Sequence, residues 1–198
     1  MFSVYPSLRF SALALAGCSA LALAGCGGGS SGGGVVSNSS TGGGGSFTAN
    51  FTAGSGTNAN TTTFSSSNVG GVATPPAPII GTVLTLTAAT PPSNNTSRQF
   101  NLVLADATLT VGKSYPLGTD TNSLSYVEFL DINGKKSQAW MSTSGTAILD
   151  SISGKTYKFH VTAVPMGPVD GTTTTPLGTT SPGTGTFTVE GSGTATLP

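Results

Sequence analysis

Charged side chains are scarce in this sequence of 198 residues. It contains seven Lys and Arg and seven Asp and Glu, which balance to a net charge of zero. Charged residues make up 7% of the chain, where about 25% is usual for a soluble domain. Without a basic cluster the chain lacks the side chains that neutralise phosphates, so we predict that it binds no nucleic acid.

Side chains that perform chemistry are equally few. No Cys/His spacing typical of zinc and no Asp-rich calcium loop occurs, so we predict no metal and no cofactor. A Ser-His-Asp triad would need His160, the only histidine, and no Gly-x-Ser-x-Gly turn is present. Carboxylates could still pair in space as they do in glycosidases, although the acids are scattered singly along the sequence. We therefore expect no enzymatic activity.

The first 25 residues have the layout of a secretory signal. Residues 1–9 carry one basic side chain and no acid, and residues 10–23 are almost wholly apolar or small. This apolar run is shorter than the roughly 20 residues that cross a bilayer. A signal peptide over 1–25 is therefore favoured over an uncleaved membrane helix.

The segment Leu23-Ala24-Gly25-Cys26 resembles the lipobox of bacterial lipoproteins. The resemblance implies that Cys26 is acylated, becomes the first mature residue and binds the lipid bilayer through its acyl chains. Leu15-Ala16-Gly17-Cys18 repeats the motif, which makes Cys18 the alternative anchor. Cleavage at Cys18 would leave only about eight apolar residues after Arg9, at the low end for a signal, so Cys26 is favoured. A Cys18–Cys26 disulfide is a further alternative.

The next residues predict a flexible tether and a location in the cell. Gly27 stands after Cys26 where Asp would favour retention at the inner membrane, so the same resemblance implies the cell envelope and its outer membrane. Residues 26–45 are then nearly all Gly and Ser. Such a composition predicts a coil with a reach of roughly 25 Å.

The remaining residues, 46–198, predict one all-β domain. Apolar residues alternate with polar ones in many short runs, and no run has helical periodicity. The size matches an antiparallel sandwich, with a small β-barrel as the alternative because closure removes exposed edges. Residues 46–78 are predicted to be weakly structured, with a strand over 47–53 and then an exposed loop or edge hairpin interrupted by prolines.

Three hairpins and one long loop organise the rest of this domain. The predicted hairpins join 84–88 to 100–104, 127–129 to 135–141, and 147–149 to 157–163. Asn133-Gly134 predicts a tight turn in the second, with positive φ at both positions. Residues 165–185, rich in Gly, Pro and Thr, predict a decorative or disordered loop.

Aromatic residues are the remaining candidates for a binding site. Trp140, Tyr126 and Tyr157 could form a platform that stacks on sugar rings if they share an exposed face. The alternative for Trp140 is that it fills the core. In the alternation of residues 157–163, His160 falls on the face opposite the aromatic side chains and should be exposed.

Several short segments resemble small all-β lipoprotein domains of unknown function from bacterial envelopes. These segments are Gly112–Gly118, Ser144–Thr146, Ile152–Lys155 and Gly185–Phe187. The resemblance supplies no catalytic residues and implies a structural or interaction role with an envelope protein as partner. A carbohydrate-binding module, with a glycan as partner, is the alternative function.

Overall fold

Strands make up the regular structure of the protein, as the alternating sequence predicts. A computed structural model describes residues 44–74 and 81–198. Cys18, Cys26, the predicted signal and nearly all of the predicted tether lie outside the described residues. Within the described ranges there are thirteen strands and no helix. The strands are β1 (Gly44–Ala53), β2 (Phe64–Ser66), β3 (Val69–Ala73), β4 (Thr82–Ala89), β5 (Ser97–Asp106), β6 (Ser114–Pro116), β7 (Ser123–Asp131), β8 (Lys136–Ser142), β9 (Thr146–Ser153), β10 (Thr156–Pro168), β11 (Thr173–Thr175), β12 (Gly178–Pro182) and β13 (Phe187–Thr196).

One continuous sheet folds over itself to give the two layers of a sandwich. Its main path runs β2-β1-β13-β10-β8-β7-β5-β4-β3 and is open at both ends. The first layer contains β2, β1, β13 and the first part of β10, and β9 and β6 extend it from β10. The second layer contains the last part of β10 with β8, β7, β5, β4 and β3, and β12 and β11 extend it from β8. The pairings are antiparallel except for that of β12 with β8. The described strands therefore form the predicted antiparallel sandwich and not the alternative closed barrel.

The strand β10 belongs to both layers. Its residues Thr156–Thr162 pair with β9, whereas Met166–Pro168 pair with β8. Between these parts the register with β13 shifts at Val161/Val164, and Ala163 adopts a φ of 48°. The bulge turns Ala163 outward and buries Val164. Continued alternation from Phe159 and Val161 would place Ala163 on the core face, but the bulge breaks the two-residue period.

The core lies between the two layers and is rich in aromatic rings. Phe47 of the first layer contacts Phe64, Phe100 and Phe159, with ring centroids 5.4 to 5.9 Å apart. Phe100 belongs to the second layer, so this cluster joins the two. Its tilted and edge-to-face contacts stabilise the core beyond simple burial of apolar area.

The hairpins β4–β5 and β9–β10 confirm the sequence prediction. In the first, Asn94 and Asn95 have φ values of 49° and 62°, and the backbone groups of Ser93 and Thr96 exchange two hydrogen bonds of 2.9 Å. This is the two-residue turn that best fits the twist of antiparallel strands. In the β9–β10 hairpin, Gly154 lies in the turn and adopts a φ of 58°.

The hairpin β7–β8 also forms, but its predicted turn was wrong. Neither Asn133 nor Gly134 has a positive φ, and the left-handed residue is Lys135 at 54°. A Cβ on Gly134 would lie 2.2 Å from Asp131 Oδ2, the end of a side chain that can move aside. Gly134 N donates to Asp131 Oδ1 at 2.7 Å, so a side-chain hydrogen bond shapes a wider turn.

The described part of the segment 46–78, residues 46–74, contains more strand than predicted. β1 has ten residues and begins at Gly44, inside the predicted tether, and β2 and β3 follow. β2 pairs with β1 and β3 pairs with β4, so the chain crosses between the layers instead of forming an edge hairpin. Ser66 Oγ secures the crossing by donating to Ala89 O at 2.6 Å. Residues 75–80 lie outside the described residues.

The predicted loop 165–185 likewise contains strands. β10 continues to Pro168, and β11 and β12 form a hairpin that joins β8. Main-chain hydrogen bonds order this Gly, Pro and Thr segment, although its side chains lack a strand pattern. The alternative of a disordered loop was therefore wrong.

The left-handed backbone at Ala163 leads to a stability prediction. Ala163→Gly should raise the free energy of unfolding by about 0.5 to 1 kcal/mol, since a left-handed residue with a Cβ costs about 1–2 kcal/mol and the added chain entropy of Gly offsets about half of this. The control Ala53→Gly, at another exposed strand residue, should lower it by about 0.5–1 kcal/mol. Urea unfolding measures both, and a loss of stability in Ala163→Gly would contradict the bulge geometry.

Candidate functional site

The structure places two of the three predicted aromatic platform residues in the core. Trp140 and Tyr126 are both 0% exposed. The indole of Trp140 lies 5.6 Å from the ring of Phe187, and a Cβ on Gly183 would lie 1.9 Å from its Cε2 atom. These rings cannot stack on a sugar. The prediction that Trp140 and Tyr126 form an exposed platform was therefore wrong. Tyr157 is half-buried and packs against the core.

A buried carboxylate lies beside Tyr126 and was not predicted as a feature of the domain. Glu128 is 6% exposed and accepts hydrogen bonds from Tyr126 OH at 2.9 Å, Gln138 Nε2 at 2.8 Å and the backbone N–H of Asn60. Burial, followed by the charge of Glu128, raises the pKa of Tyr126 far above its usual value. The phenol therefore remains a hydrogen-bond donor to this carboxylate.

The Glu128 network holds the loop 54–63 across one end of the core. Asn58 Nδ2 donates to Gln138 Oε1 at 3.0 Å, and Asn58 Oδ1 accepts from Thr184 N at 2.8 Å. Arg98 donates to Thr62 Oγ1 at 3.1 Å and lies 5.6 Å over the ring of Phe64. Each of these side chains binds loop backbone or another loop side chain, so the network has a structural role.

His160 forms one exposed pair on the outer side of the first layer. Its Nδ1 lies 2.7 Å from Asp150 Oδ1, and the two side chains are 36% and 42% exposed. The predicted outward position of His160 is confirmed. In the described part of the chain, no group of three or more His, Cys, Asp or Glu side chains could hold a metal ion.

Among the described residues, the strands of the second layer place no charged side chain on its outer side. Alternation with the buried side chains of β4, β5 and β7 places small, hydroxyl, amide and aliphatic groups on this side. We call this side of the sheet the uncharged face; Gln99, Asn101, Ser123, Ser125, Ser137 and Ala139 on it are buried, whereas Val72 is 56% exposed. Its residues are Val72, Thr85, Thr87, Gln99, Asn101, Val103, Ser123, Ser125, Val127, Phe129, Ser137, Ala139 and Met141.

Polar groups on the uncharged face hydrogen-bond to one another across three strands. Asn101 Oδ1 accepts from Thr87 Oγ1 at 3.0 Å and from Gln99 Nε2 at 2.7 Å. Asn101 Nδ2 donates to Ser125 Oγ at 3.2 Å. Gln99, Asn101 and Ser125 are already buried, and because these groups have partners, further covering of the face would leave none of them unsatisfied.

The interior offers little room for a ligand. An apolar void has a volume of about 10 Å³, which would hold one water molecule at most. It is lined by Phe47, Val69, Leu86, Ala88, Phe100, Leu102, Leu124 and Phe159. This pocket is therefore too small for a ligand larger than water.

The sequence signals for these features were uneven. Glu128 sits in the run 123–129, where the alternation points it inward with Leu124 and Tyr126, so its burial could have been inferred. The uncharged face required the strand order, because its residues come from five separate runs. Phe129 was missed as a surface aromatic, although the same alternation places it opposite Tyr126.

Comparisons with known proteins give no relatives. No family model, no curated protein and no solved structure matches the chain. In the described ranges, no helix has the length and apolar character needed to span a membrane.

The Glu128 network predicts an effect on stability. Glu128→Gln replaces one acceptor oxygen by a donor group, so we expect the free energy of unfolding to fall by about 1–3 kcal/mol through unpaired buried groups. The exposed Glu190→Gln is the matched control, with a change within about 0.5 kcal/mol. Equal urea midpoints for the two variants would show that the network contributes nothing.

Proposed function

We propose that the chain is an outer-membrane lipoprotein of the bacterial envelope, anchored through Cys26, whose sandwich binds a partner protein and performs no catalysis. The uncharged face is the observation that carries this proposal. Interface centres are depleted in charge and enriched in aromatic residues and Met, and this face contains Phe129 and Met141 without a charged residue.

A protein partner is favoured over a glycan by the hydrogen bonding of the face. A sugar needs free donors and acceptors for its hydroxyl groups, whereas the amides of Gln99 and Asn101 are engaged with neighbouring side chains. The two aromatic rings best suited to sugar stacking are buried. Short Ser, Thr and Val side chains also lose little entropy when a protein covers them.

The anchor is tested by two matched substitutions. Cys26→Ser should release the protein from membranes, because anchoring needs two or more acyl chains on that residue. Cys18→Ser should leave the protein in the membrane fraction, since Cys18 lies in the discarded signal. Mass spectrometry of the mature amino terminus accompanies the fractionation. Release by Cys18→Ser alone would move the anchor to Cys18, and an unprocessed Met1 would contradict the lipoprotein assignment.

Binding by the uncharged face is tested by crosslinking in intact cells. A photoreactive side chain at Val103 or Val127 should yield adducts with a protein, whereas one at Thr194, on the outer side of the first layer, should not. Val103→Lys should abolish the Val127 adducts, because an unpaired charge inside an interface is costly, and Thr194→Lys should not. Adducts with glycan in place of protein would favour the carbohydrate-binding alternative.

A further inference from the structure

Two neighbouring turns at one end of the uncharged face expose leucine side chains. Leu130 precedes the β7–β8 turn and is 51% exposed, and Leu177 lies in the β11–β12 turn and is 49% exposed. We call the surface formed by Leu130, Lys135, Lys136 and Leu177 the distal tip. Leu130 lies between the ladder pairs Phe129–Ser137 and Asp131–Lys136, so it neighbours Lys136. Exposed apolar side chains grouped in one patch often mark a binding site.

Hydrogen bonds hold these two turns together. Lys135 Nζ donates to Pro176 O at 3.2 Å, and Thr179 N donates to Lys135 O at 2.8 Å. A Cβ on Gly178 would lie 2.5 Å from Lys135 O, so the backbones approach closely at this point. Leu177 and Lys135 are therefore fixed as neighbours by main-chain geometry.

The distal tip presents positive charge. Lys135 and Lys136 are both exposed. The acid nearest in sequence, Asp131, accepts hydrogen bonds from Gly134 N at 2.7 Å and Asn95 Nδ2 at 2.6 Å. These two bonds lower the pKa of Asp131, so its charge is stabilised within the turn. Two lysines, partly balanced by one engaged carboxylate, then stand beside the two leucines.

The distal tip lies at the end of the domain opposite Gly44, where the chain from Cys26 enters. Pairing places Gly44 beside Thr196 and places Ala53 beside Phe187 at the other end of β1. Phe187 pairs with Met166, and β10 continues from there to Pro168 beside Trp140. Because β8 is antiparallel to β10, its first residue, Lys136, lies still farther from Gly44. A ten-residue strand spans roughly 30 Å, so the tip points away from the point of attachment.

We propose that the distal tip docks a protein segment in which an acidic side chain lies next to an apolar one, as the far end of the partner site on the uncharged face. The proposal rests on the proposed function above. The lysines supply charge complementarity and the leucines supply apolar contact. A bilayer surface is less favoured, because the tip faces away from the attachment of the anchored chain.

The test uses the full-length anchored protein in cells. A photoreactive side chain is placed at Leu130, at Leu177 or at Val111, a control position in another loop that is 49% exposed. Lys135→Glu is compared with Lys155→Glu, since both lysines lie in turns and donate to a proline carbonyl oxygen. We expect protein adducts at both leucines, at least about fivefold weaker with Lys135→Glu because charge reversal repels an acidic segment, and unchanged with Lys155→Glu. The crosslinked partner peptide should contain Asp or Glu.

Each other outcome overturns the proposal. Adducts of equal strength at Val111, adducts that survive Lys135→Glu, or a partner peptide without an acid would show that the tip is not a specific acidic-segment site. Adducts only with lipid would assign the tip to a membrane surface. Protein adducts at Val103 without any at the two leucines would overturn this inference and leave the proposed function standing. Protein adducts at none of these positions would remove both.

Discussion

The fold depends on one strand that serves both layers. β10 pairs with β9 along its first half and with β8 along its last three residues, and the bulge between Val161 and Val164 makes this change of partner possible. Without the extra residue, Ala163, the alternation that buries Phe159 and Val161 would turn Val164 and Met166 outward. The position of β8, and with it β12 and the distal tip, follows from this bulge.

Local pattern predicted the parts of the fold in which turn and alternation agree. The β4–β5 and β9–β10 hairpins are of this kind. Where the pairing is distant in sequence, the pattern gave no guide: β12 pairs in parallel with β8, with a further 2.8 Å hydrogen bond between Ser137 Oγ and Thr180 Oγ1, and Ser66 Oγ secures a crossing between layers. The tight turn predicted from Asn133-Gly134 was wrong because a side chain outside the dipeptide, that of Asp131, determines the turn.

The candidate surface could be predicted only in part. The scarcity of charged residues was evident from composition. That the described strands place none of them on one outer face followed only from the strand order β3-β4-β5-β7-β8. Trp140 shows the opposite case, since a lone tryptophan is a plausible ligand platform until the packing of Gly183 and Phe187 against it is known. A side chain with large apolar area contributes most to stability when it is buried.

In the proposed lipoprotein, the geometry of attachment limits where the proposed partner can reside. The tether, from its composition, reaches roughly 25 Å, which is close to the roughly 30 Å spanned by a ten-residue strand such as β1. If Cys26 is anchored as proposed, this reach keeps the domain close to the bilayer, while its distal tip can extend beyond the length of β1. A partner that contacts the tip must then lie within the combined reach of tether and domain from the membrane. This favours another envelope protein over a freely diffusing one. Confinement of both to one surface raises their effective concentration, so that modest contacts suffice for association.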